Sequence, residues 1–232
     1  MALRCATTLV TVPSKVKPQI GVFGGAFDPP HQAHVALAQA AFVQLGLSRL
    51  LLIPTGQAAH RPQPLSPGQH RLAMLKLALA DGSDRAPPGF ACEIDARELS
   101  RPGVSFMVDT LRELQQENPD AELILLMGAD QAQSLTHWHR WAEILGLATV
   151  AVAPRELPPQ DKSWAGPFAF ESHPQARLIK LDFPLIPISA TALRARLANP
   201  SFEPPPDAAT SSPLVGPSVA SYIAEHQLYK VA

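Results

Sequence analysis

The stretch QIGVFGGAFDPPHQAH at residues 19–34 decides the fold class, because a strand, a sharp turn and a helix follow one another in it. A first strand is predicted at residues 19–23. Gly24 and Gly25 then let the backbone turn and approach a ligand with no Cβ in the way. Two prolines set φ for entry into a helix predicted at residues 31–45. This succession is typical of the first unit of a parallel α/β sheet.

Short apolar runs alternate with amphipathic stretches over most of the chain, which indicates an α/β fold with an open, Rossmann-like parallel sheet and helices on both faces. The wholly apolar run at residues 123–127 is typical of a strand buried on both faces. Further strands are predicted at residues 49–53, 90–95, 149–153 and 177–181. Further helices are predicted at residues 67–80, 137–145, 189–197 and 218–228. Ser66 is the predicted cap of the first of these, and Ser105 is predicted to cap one more helix that begins after it. The last two helices predict a small C-terminal helical part.

Two proline-rich segments and the N-terminal stretch interrupt this alternation. The chain has 25 prolines among 232 residues, about twice the usual share, and residues 154–174 and 199–217 are interpreted as long surface loops. Residues 1–18 carry three basic side chains and no acid, so we expect a disordered N-terminal extension, with an organelle transit peptide as the alternative. Residues 19–232 are then expected to form a single domain.

The composition excludes several classes of protein. Hydrophobic residues make up 46% and charged residues 17%, which excludes a disordered chain and a coiled coil. Nineteen Lys and Arg against 20 Asp and Glu leave a net charge of -1, so any phosphate site must be local. No apolar run approaches the roughly 20 residues that span a bilayer, and two cysteines cannot supply a disulfide framework. We therefore expect a cytoplasmic protein without a nucleic-acid or membrane partner, while a homo-oligomer stays open.

Three polar clusters each follow a predicted strand. They lie at residues 24–34, 128–130 and 188–194. Because ligands of open parallel sheets bind outside the carboxyl ends of the strands, we expect these clusters to converge at one edge. His31 and His34 lie three positions apart and would project from the first helical turn, where free N–H groups and the helix dipole favour an anion. This arrangement predicts a polyphosphate site. A zinc site lacks a third ligand, because no HExxH motif is present.

The cluster at residues 188–194 follows a similar logic. Ser189 is predicted to cap a helix, and Thr191 and Arg194 are further donors on its first turn. A guanidinium suits a multiply charged phosphate because its fork of donors is fixed and always protonated. An ordinary capped amphipathic helix is the alternative. For Asp130 the alternative is an acid that stabilises a helix dipole.

Together these residues resemble the nucleotidyltransferase superfamily of α/β phosphodiesterase fold, whose marks are a GxFDPxHxGH-like stretch and a C-terminal ISxTxxR motif. Within it the chain is similar to the bacterial nicotinate-nucleotide adenylyltransferases over about residues 19–230. The supporting motifs are His60-Arg61-Pro62, residues 71–75, Arg97-Glu98-Leu99, Gly128-Ala129-Asp130, Trp138 and the ending at residues 222–229. The resemblance implies adenylyl transfer from ATP to nicotinate mononucleotide, which gives nicotinate adenine dinucleotide and pyrophosphate in NAD biosynthesis.

The resemblance also implies the roles of individual residues. His34, His31 and Arg194 would be catalytic, and Mg²⁺ would arrive with ATP, with no metal site made by the protein alone. The ATP-binding set would be Gly24, Gly25, Phe27, His31, His34, Gly128, Asp130, Ser189, Thr191 and Arg194. The mononucleotide-binding set would be Arg61, Phe106, Met107 and Trp138.

The chain departs from the family pattern at three positions. Ala33 stands where the family usually has Gly, and Phe106 and Met107 stand where Tyr and Thr are common. Base specificity therefore depends on whether side chains or backbone N–H groups contact the nicotinate ring.

Several alternative functions stay open. One is a sister adenylyltransferase for nicotinamide mononucleotide or phosphopantetheine, and another is a non-catalytic nucleotide sensor of the same fold. A dinucleotide-binding oxidoreductase is disfavoured because no GxGxxG follows a predicted strand.

Overall fold

The computed structural model describes residues 17–57, 65–154, 167–184, 186, 189–198 and 214–230. Its strands are β1 (Gln19–Gly25), β2 (Arg49–Pro54), β3 (Cys92–Ile94), β4 (Glu122–Gly128), β5 (Ala148–Ala153) and β6 (Leu178–Lys180). Its α-helices are α1 (Gln32–Gln44), α2 (Gly68–Asp81), α3 (Arg97–Ser100), α4 (Met107–Glu117), α5 (Ala129–Ser134), α6 (Trp141–Leu147), α7 (Ala190–Leu197) and α8 (Pro217–Glu225).

All six strands belong to one sheet in the order β3-β2-β1-β4-β5-β6, and each neighbouring pair is parallel. The chain winds outward from β1 through β2 to β3 and then crosses to β4 on the other side of β1. This reversal leaves a crevice at the carboxyl ends of β1 and β4, where ligands of such sheets bind. The predicted Rossmann-like parallel sheet is confirmed.

Apolar layers cover both faces of the sheet. Leu111 of α4 belongs to the layer on one face, and Leu37 of α1 belongs to the layer on the other. A third apolar cluster joins α2, α7 and α8 through the buried side chains of Met74, Leu193 and Val219. The C-terminal helices therefore pack against helices of the first α/β units, which brings the end of the described chain back toward β1.

The two predicted serine caps are wrong, because each serine has a partner outside its helix. Pro67 is the residue before α2, and the backbone N–H of Ser66 donates to the carboxylate of Asp28 over 3.0 Å. Ser105 lies two positions before α4, and its hydroxyl donates to the carbonyl oxygen of Glu98 over 3.4 Å. Ser66 therefore ties the start of α2 to the loop after β1, and Ser105 ties the start of α4 to α3.

The predicted bounds of the helix at residues 137–145 are wrong. The structure has a 3-10 turn at Leu135–His137, and α6 begins only at Trp141. Arg140 separates them with a φ of 52°, a left-handed conformation that cannot continue a right-handed helix. The short helices α3 and α5 are additions to the predicted set.

The loop predicted at residues 154–174 is only partly irregular. Its described end contains a 3-10 turn, Ala169–Ser172, in which Phe170 is fully buried against one face of the sheet. Residues 155–166, the N-terminal residues 1–16 and residues 199–213 lie outside the described part, so the predictions for them stay untested. Within the described residues, no helix is long and apolar enough to cross a membrane.

Candidate active site

A cavity of about 250 Å³ opens at the carboxyl ends of β1 and β4. Nine of the ten residues predicted to bind ATP line it: Gly24, Gly25, Phe27, His31, His34, Gly128, Asp130, Thr191 and Arg194. The tenth, Ser189, lies at the start of α7 and is not among the described residues of the wall. The three sequence clusters that were expected to converge therefore meet at this cavity.

The two glycines at the end of β1 provide room for neighbouring side chains. Both stay within the strand ladder beside β2. A Cβ on Gly24 would meet the terminal methyl group of Met107, and one on Gly25 would lie 3.1 Å from the ring of Phe27. The left-handed backbone falls on Phe27, whose φ is 47°. The prediction that the glycines make the turn is therefore corrected: Phe27 makes it, and the glycines accommodate what packs against them.

His31 and His34 form a compact pair at the start of α1. The backbone N–H of His31, the N-cap residue, donates to Nδ1 of His34 over 3.1 Å. The two rings stack with centroids 3.7 Å apart, and the ring of Phe27 meets His34 edge-on at 5.1 Å. Because Nδ1 of His34 accepts a hydrogen bond, the neutral ring carries its proton on Nε2. His34 can therefore donate to an anionic oxygen.

The start of α7 brings Arg194 to the loop that follows β1. Ser189 caps this helix as predicted, since its hydroxyl accepts from the backbone N–H of Ala192 over 3.1 Å. Nη1 of Arg194 donates to the carbonyl oxygen of Asp28 over 2.8 Å, and Nη2 donates to the hydroxyl of Thr191 over 3.3 Å. The guanidinium is therefore held at both ends of its fork while it lines the cavity.

Two buried polar residues that hold the loop after β1 were not in the predicted site. Asp28 and Arg71 are each only 3% exposed. Arg71 donates to the carbonyl oxygens of Ala26 and Ser66, over 2.9 Å in both cases. The carboxylate of Asp28 accepts from the N–H of Ser66 over 3.0 Å and from the hydroxyl of Tyr229 over 2.5 Å. A sequence signal for both residues existed. Asp28 is a charged residue inside the motif at residues 19–34, and Arg71 is one inside the amphipathic helix predicted at residues 67–80, where charged residues are buried only with partners.

Two of the residues predicted to bind the mononucleotide, Phe106 and Met107, lie at the beginning of α4. Phe106 stacks at an angle on His139, with ring centroids 4.3 Å apart, and Met107 contacts Gly24. Trp138 is half-buried against the same apolar layer. These three side chains are not among the described residues that line the cavity, and Arg61 lies outside the described part of the chain.

Glu98 is a buried acid beside α4. Its carboxylate accepts from the hydroxyl of Thr110 over 2.8 Å and from the N–H of Gly56 over 3.4 Å. Burial raises the pKa of Glu98, and these hydrogen bonds act in the opposite direction. A Cβ on Gly56 would meet the carbonyl oxygen of Glu98 and lie 2.6 Å from the hydroxyl of Ser105. The segment after β2 is therefore closely packed on this acid.

The polar groups of the cavity suit an anion better than a bare cation. Among the described residues, no group of three or more His, Cys, Asp or Glu is placed to hold a metal ion. Of the described residues that line the cavity, Asp130 is the only carboxylate. The imidazole of His34 and the guanidinium of Arg194 are donors, as an array of phosphate oxygens requires. The N–H groups expected to be free at the start of α1 are only partly available, because those of Gln32 and His34 donate to the carbonyl oxygens of Leu214 and His31.

Comparison with known proteins identifies relatives along most of the chain. A family model described as cytidylyltransferase-like matches residues 22–196. A probable nicotinate-nucleotide adenylyltransferase of Albidiferax ferrireducens is 44% identical over 221 residues, which cover 92% of this chain and 99% of the relative. Another probable nicotinate-nucleotide adenylyltransferase, of Herpetosiphon aurantiacus, is 37% identical over 91% of this chain and 98% of the relative.

Solved structures share the fold. Plasmodium falciparum nicotinic acid mononucleotide adenylyltransferase complexed with NaAD has a TM-score of 0.69 at 17% identity and covers 91% of this chain and 97% of its own. The same Plasmodium falciparum enzyme complexed with APC gives 0.68 at 18% identity, with the same coverage. With sequence identity of up to 44% over nearly its whole length, the chain belongs to the nicotinate-nucleotide adenylyltransferase family.

Proposed function

We propose that this enzyme transfers the adenylyl group of ATP to nicotinate mononucleotide, giving nicotinate adenine dinucleotide and pyrophosphate. One observation carries the proposal: three separate sequence clusters, rich in donors to phosphate, line one cavity at the reversal point of the sheet. Relatives that are up to 44% identical bear the name of this activity.

The triphosphate of ATP is held between the starts of α1 and α7. His34 donates from Nε2 to an oxygen of the α-phosphate, where negative charge grows during the reaction. His31 and the positive end of the α1 dipole contribute to the same end of the triphosphate. Thr191 and Arg194 hold the β- and γ-phosphates, and Ser189 orders the helix that carries them. Arg194 therefore stabilises the pyrophosphate as it departs.

Nucleotide transfer at this site needs no protein nucleophile. A phosphate oxygen of the mononucleotide attacks the α-phosphorus in line, and the bond from that phosphorus to the oxygen bridging the β-phosphate breaks. A phosphate monoester is already an anion near neutral pH, because its second pKa is about 6. Catalysis then rests on positioning the two substrates and on stabilising charge.

The mononucleotide binds on the side of α4. The indole face of Trp138 attracts the pyridinium ring, and backbone N–H groups near Phe106 and Met107 donate to the carboxylate of nicotinate. Contact between Met107 and Gly24 sets this region next to the end of β1, beside the ATP cavity. Arg61 is our candidate for the mononucleotide phosphate.

Mg²⁺ is proposed as the companion of ATP. Asp130 is the only carboxylate among the described residues of the wall, so the ion would be held mainly by phosphate oxygens. When bound, it neutralises part of the triphosphate charge. We also propose a cytoplasmic location, where ATP is available.

Pyrophosphate release from ATP with a panel of acceptors tests the proposal. Nicotinate mononucleotide should give a kcat/KM at least about tenfold above that of nicotinamide mononucleotide, and phosphopantetheine should give none. Equal values, or a preference for the amide, would contradict the assignment to nicotinate while leaving adenylyl transfer intact. Binding of ATP without release for any acceptor would favour a nucleotide sensor.

A further inference from the structure

Tyr229 and Asp28 are joined by a hydrogen bond that the reaction itself does not use. The hydroxyl of Tyr229 donates to Oδ1 of Asp28 over 2.5 Å, and the N–H of Ser66 donates to Oδ2 over 3.0 Å. Since Asp28 is almost fully buried, these donors replace hydration that its carboxylate would have in water. Loss of one donor would leave a buried charge undersatisfied.

The hydroxyl of Tyr229 is a constant donor in this setting. Burial raises its pKa above the ordinary tyrosine value, and the adjacent carboxylate of Asp28 acts in the same direction. The phenol therefore stays protonated at neutral pH, so its hydrogen bond to Asp28 persists there.

Asp28 also anchors the arginine of the cavity. Its backbone carbonyl oxygen accepts from Nη1 of Arg194 over 2.8 Å, and Thr191 holds Nη2 of the same group. The orientation of Arg194 thus depends on where the peptide group of Asp28 lies. The side chain of Asp28 fixes that position through its bonds to Tyr229 and Ser66.

Tyr229 itself is placed by the packing of the last helix. It follows α8, which is buried against α2 through Val219 and Ile223. The sulfur of Met74, on α2, lies 4.0 Å from the hydroxyl of Tyr229. The C-terminal segment is therefore attached to the body of the protein independently of its contact with Asp28.

We propose that Tyr229 and Asp28 are positioning residues for adenylyl transfer, which hold the loop after β1 so that Arg194 faces the β- and γ-phosphates of ATP. This inference rests on the proposed ATP site. We expect that loss of either residue lowers kcat and kcat/KM for ATP and leaves the mononucleotide KM unchanged. The reason is that Tyr229 acts through Asp28, and Asp28 bonds to Arg194.

Tyr229→Phe tests the inference, since it removes one hydroxyl and keeps the ring. We expect kcat/KM for ATP to fall about tenfold or more, with the mononucleotide KM within about twofold of wild type. Tyr222→Phe is the matched control. Its hydroxyl bonds to Nδ1 of His70 over 3.0 Å at the same contact of α2 with α8, so it should keep wild-type constants.

Asp28→Asn is the second variant and serves alone if Tyr229→Phe does not fold. The amide removes the negative charge, and its single oxygen can accept from only one of the two donors, so the bond to Tyr229 survives only if the phenol turns and accepts. The double variant Tyr229→Phe with Asp28→Asn should be no slower than the slower single variant, because both act through one hydrogen bond.

The outcomes separate this inference from the proposed function. Equal kinetic constants for Tyr229→Phe and Tyr222→Phe would overturn the inference, as would a loss that raises only the mononucleotide KM. Wild-type pyrophosphate release decides the proposed function by itself. If the wild type releases no pyrophosphate, ATP binding is measured by calorimetry for the wild type and both variants. ATP is then expected to bind more weakly to Tyr229→Phe but not to Tyr222→Phe.

Discussion

The rings of His31 and His34 stack with their centroids 3.7 Å apart, and the backbone N–H of the first donates to Nδ1 of the second. One histidine thus fixes both the tautomer and the direction of the other. Such a pair resembles the orienting arrangements by which proteins prepare a donor before the substrate arrives.

His34→Ala should reduce kcat by about 100-fold or more and change the mononucleotide KM little, because we propose that its imidazole donates to the α-phosphate of ATP and not to the acceptor. Steady-state kinetics with both substrates varied provide the measurement. His226→Ala is the control, since its exposed ring packs only beside Tyr222 and His70 among the ring contacts described. A larger loss for His226→Ala would contradict the assignment of His34.

Arg194→Ala should reduce turnover by roughly 30- to 1000-fold, the effect of losing a charged hydrogen bond that strengthens in the transition state. Its unfolding midpoint should stay close to that of wild type, because the side chain lies at the edge of an open cavity. Kinetics and thermal denaturation of the same preparation check both statements. Unchanged turnover and ATP affinity would remove Arg194 from the site.

Trp138→Ala should raise the mononucleotide KM by about 2- to 30-fold and leave the ATP KM nearly unchanged, as expected for the loss of a cation–π contact. Trp141→Ala is a matched control, because this ring meets His173 edge-on at 5.3 Å. If both variants raise the mononucleotide KM equally, Trp138 is a packing residue and not a binding residue.

Gly56→Ala should destabilise the protein by about 1–3 kcal/mol, because the added methyl group would meet the backbone oxygen of Glu98, which cannot move alone. Gly24→Ala should cost less, since its methyl group would meet only the flexible end of Met107. Denaturant unfolding compares the two variants. The reverse order would show that the end of β1 is the more rigid segment.

Glu98→Gln should flatten the dependence of stability on pH. The raised pKa means that the folded protein holds this proton more tightly than the unfolded chain does. Its stabilising contribution is therefore full at acidic pH and is lost as pH rises through the folded-state pKa. The unfolding free energy of the wild type, relative to that of Glu98→Gln, should fall as pH rises above the ordinary glutamate value of about 4.5. A constant difference would contradict the raised pKa.

The strands and the cavity could be predicted because their signals are local. The five apolar residues at 123–127 lie within β4, and Ser189 caps α7 three positions before its hydrogen-bond partner. The helix α5 could not be predicted in the same way, because Ala129–Ser134 is only six residues long and its only apolar side chains are two alanines. Its place after β4 is decided by burial of Ala129 and Ala132.

Tertiary contacts of two residues explain the remaining differences. Ser66 was assigned to its own helix, yet its N–H belongs to Asp28, 38 positions earlier. The left-handed turn was assigned to the glycines, but Phe27 adopts it because its ring is buried between Gly25 and His34. Asp28 lies outside any window of residues around Ser66, and residue propensity does not show how the Phe27 ring packs, so pattern and propensity alone choose the wrong residue.

The contact of Tyr229 with Asp28 spans 201 positions of the chain and so bears on the protein's synthesis. While the ribosome is still translating the later helices, β1 and its loop have already left the exit tunnel, but the phenol that completes them has not been made. Domains order themselves from the N-terminus as they emerge, and contacts of such separation form late. A chain stalled before position 229 therefore lacks this contact, and the loop after its β1 is held by fewer hydrogen bonds than when Tyr229 is present.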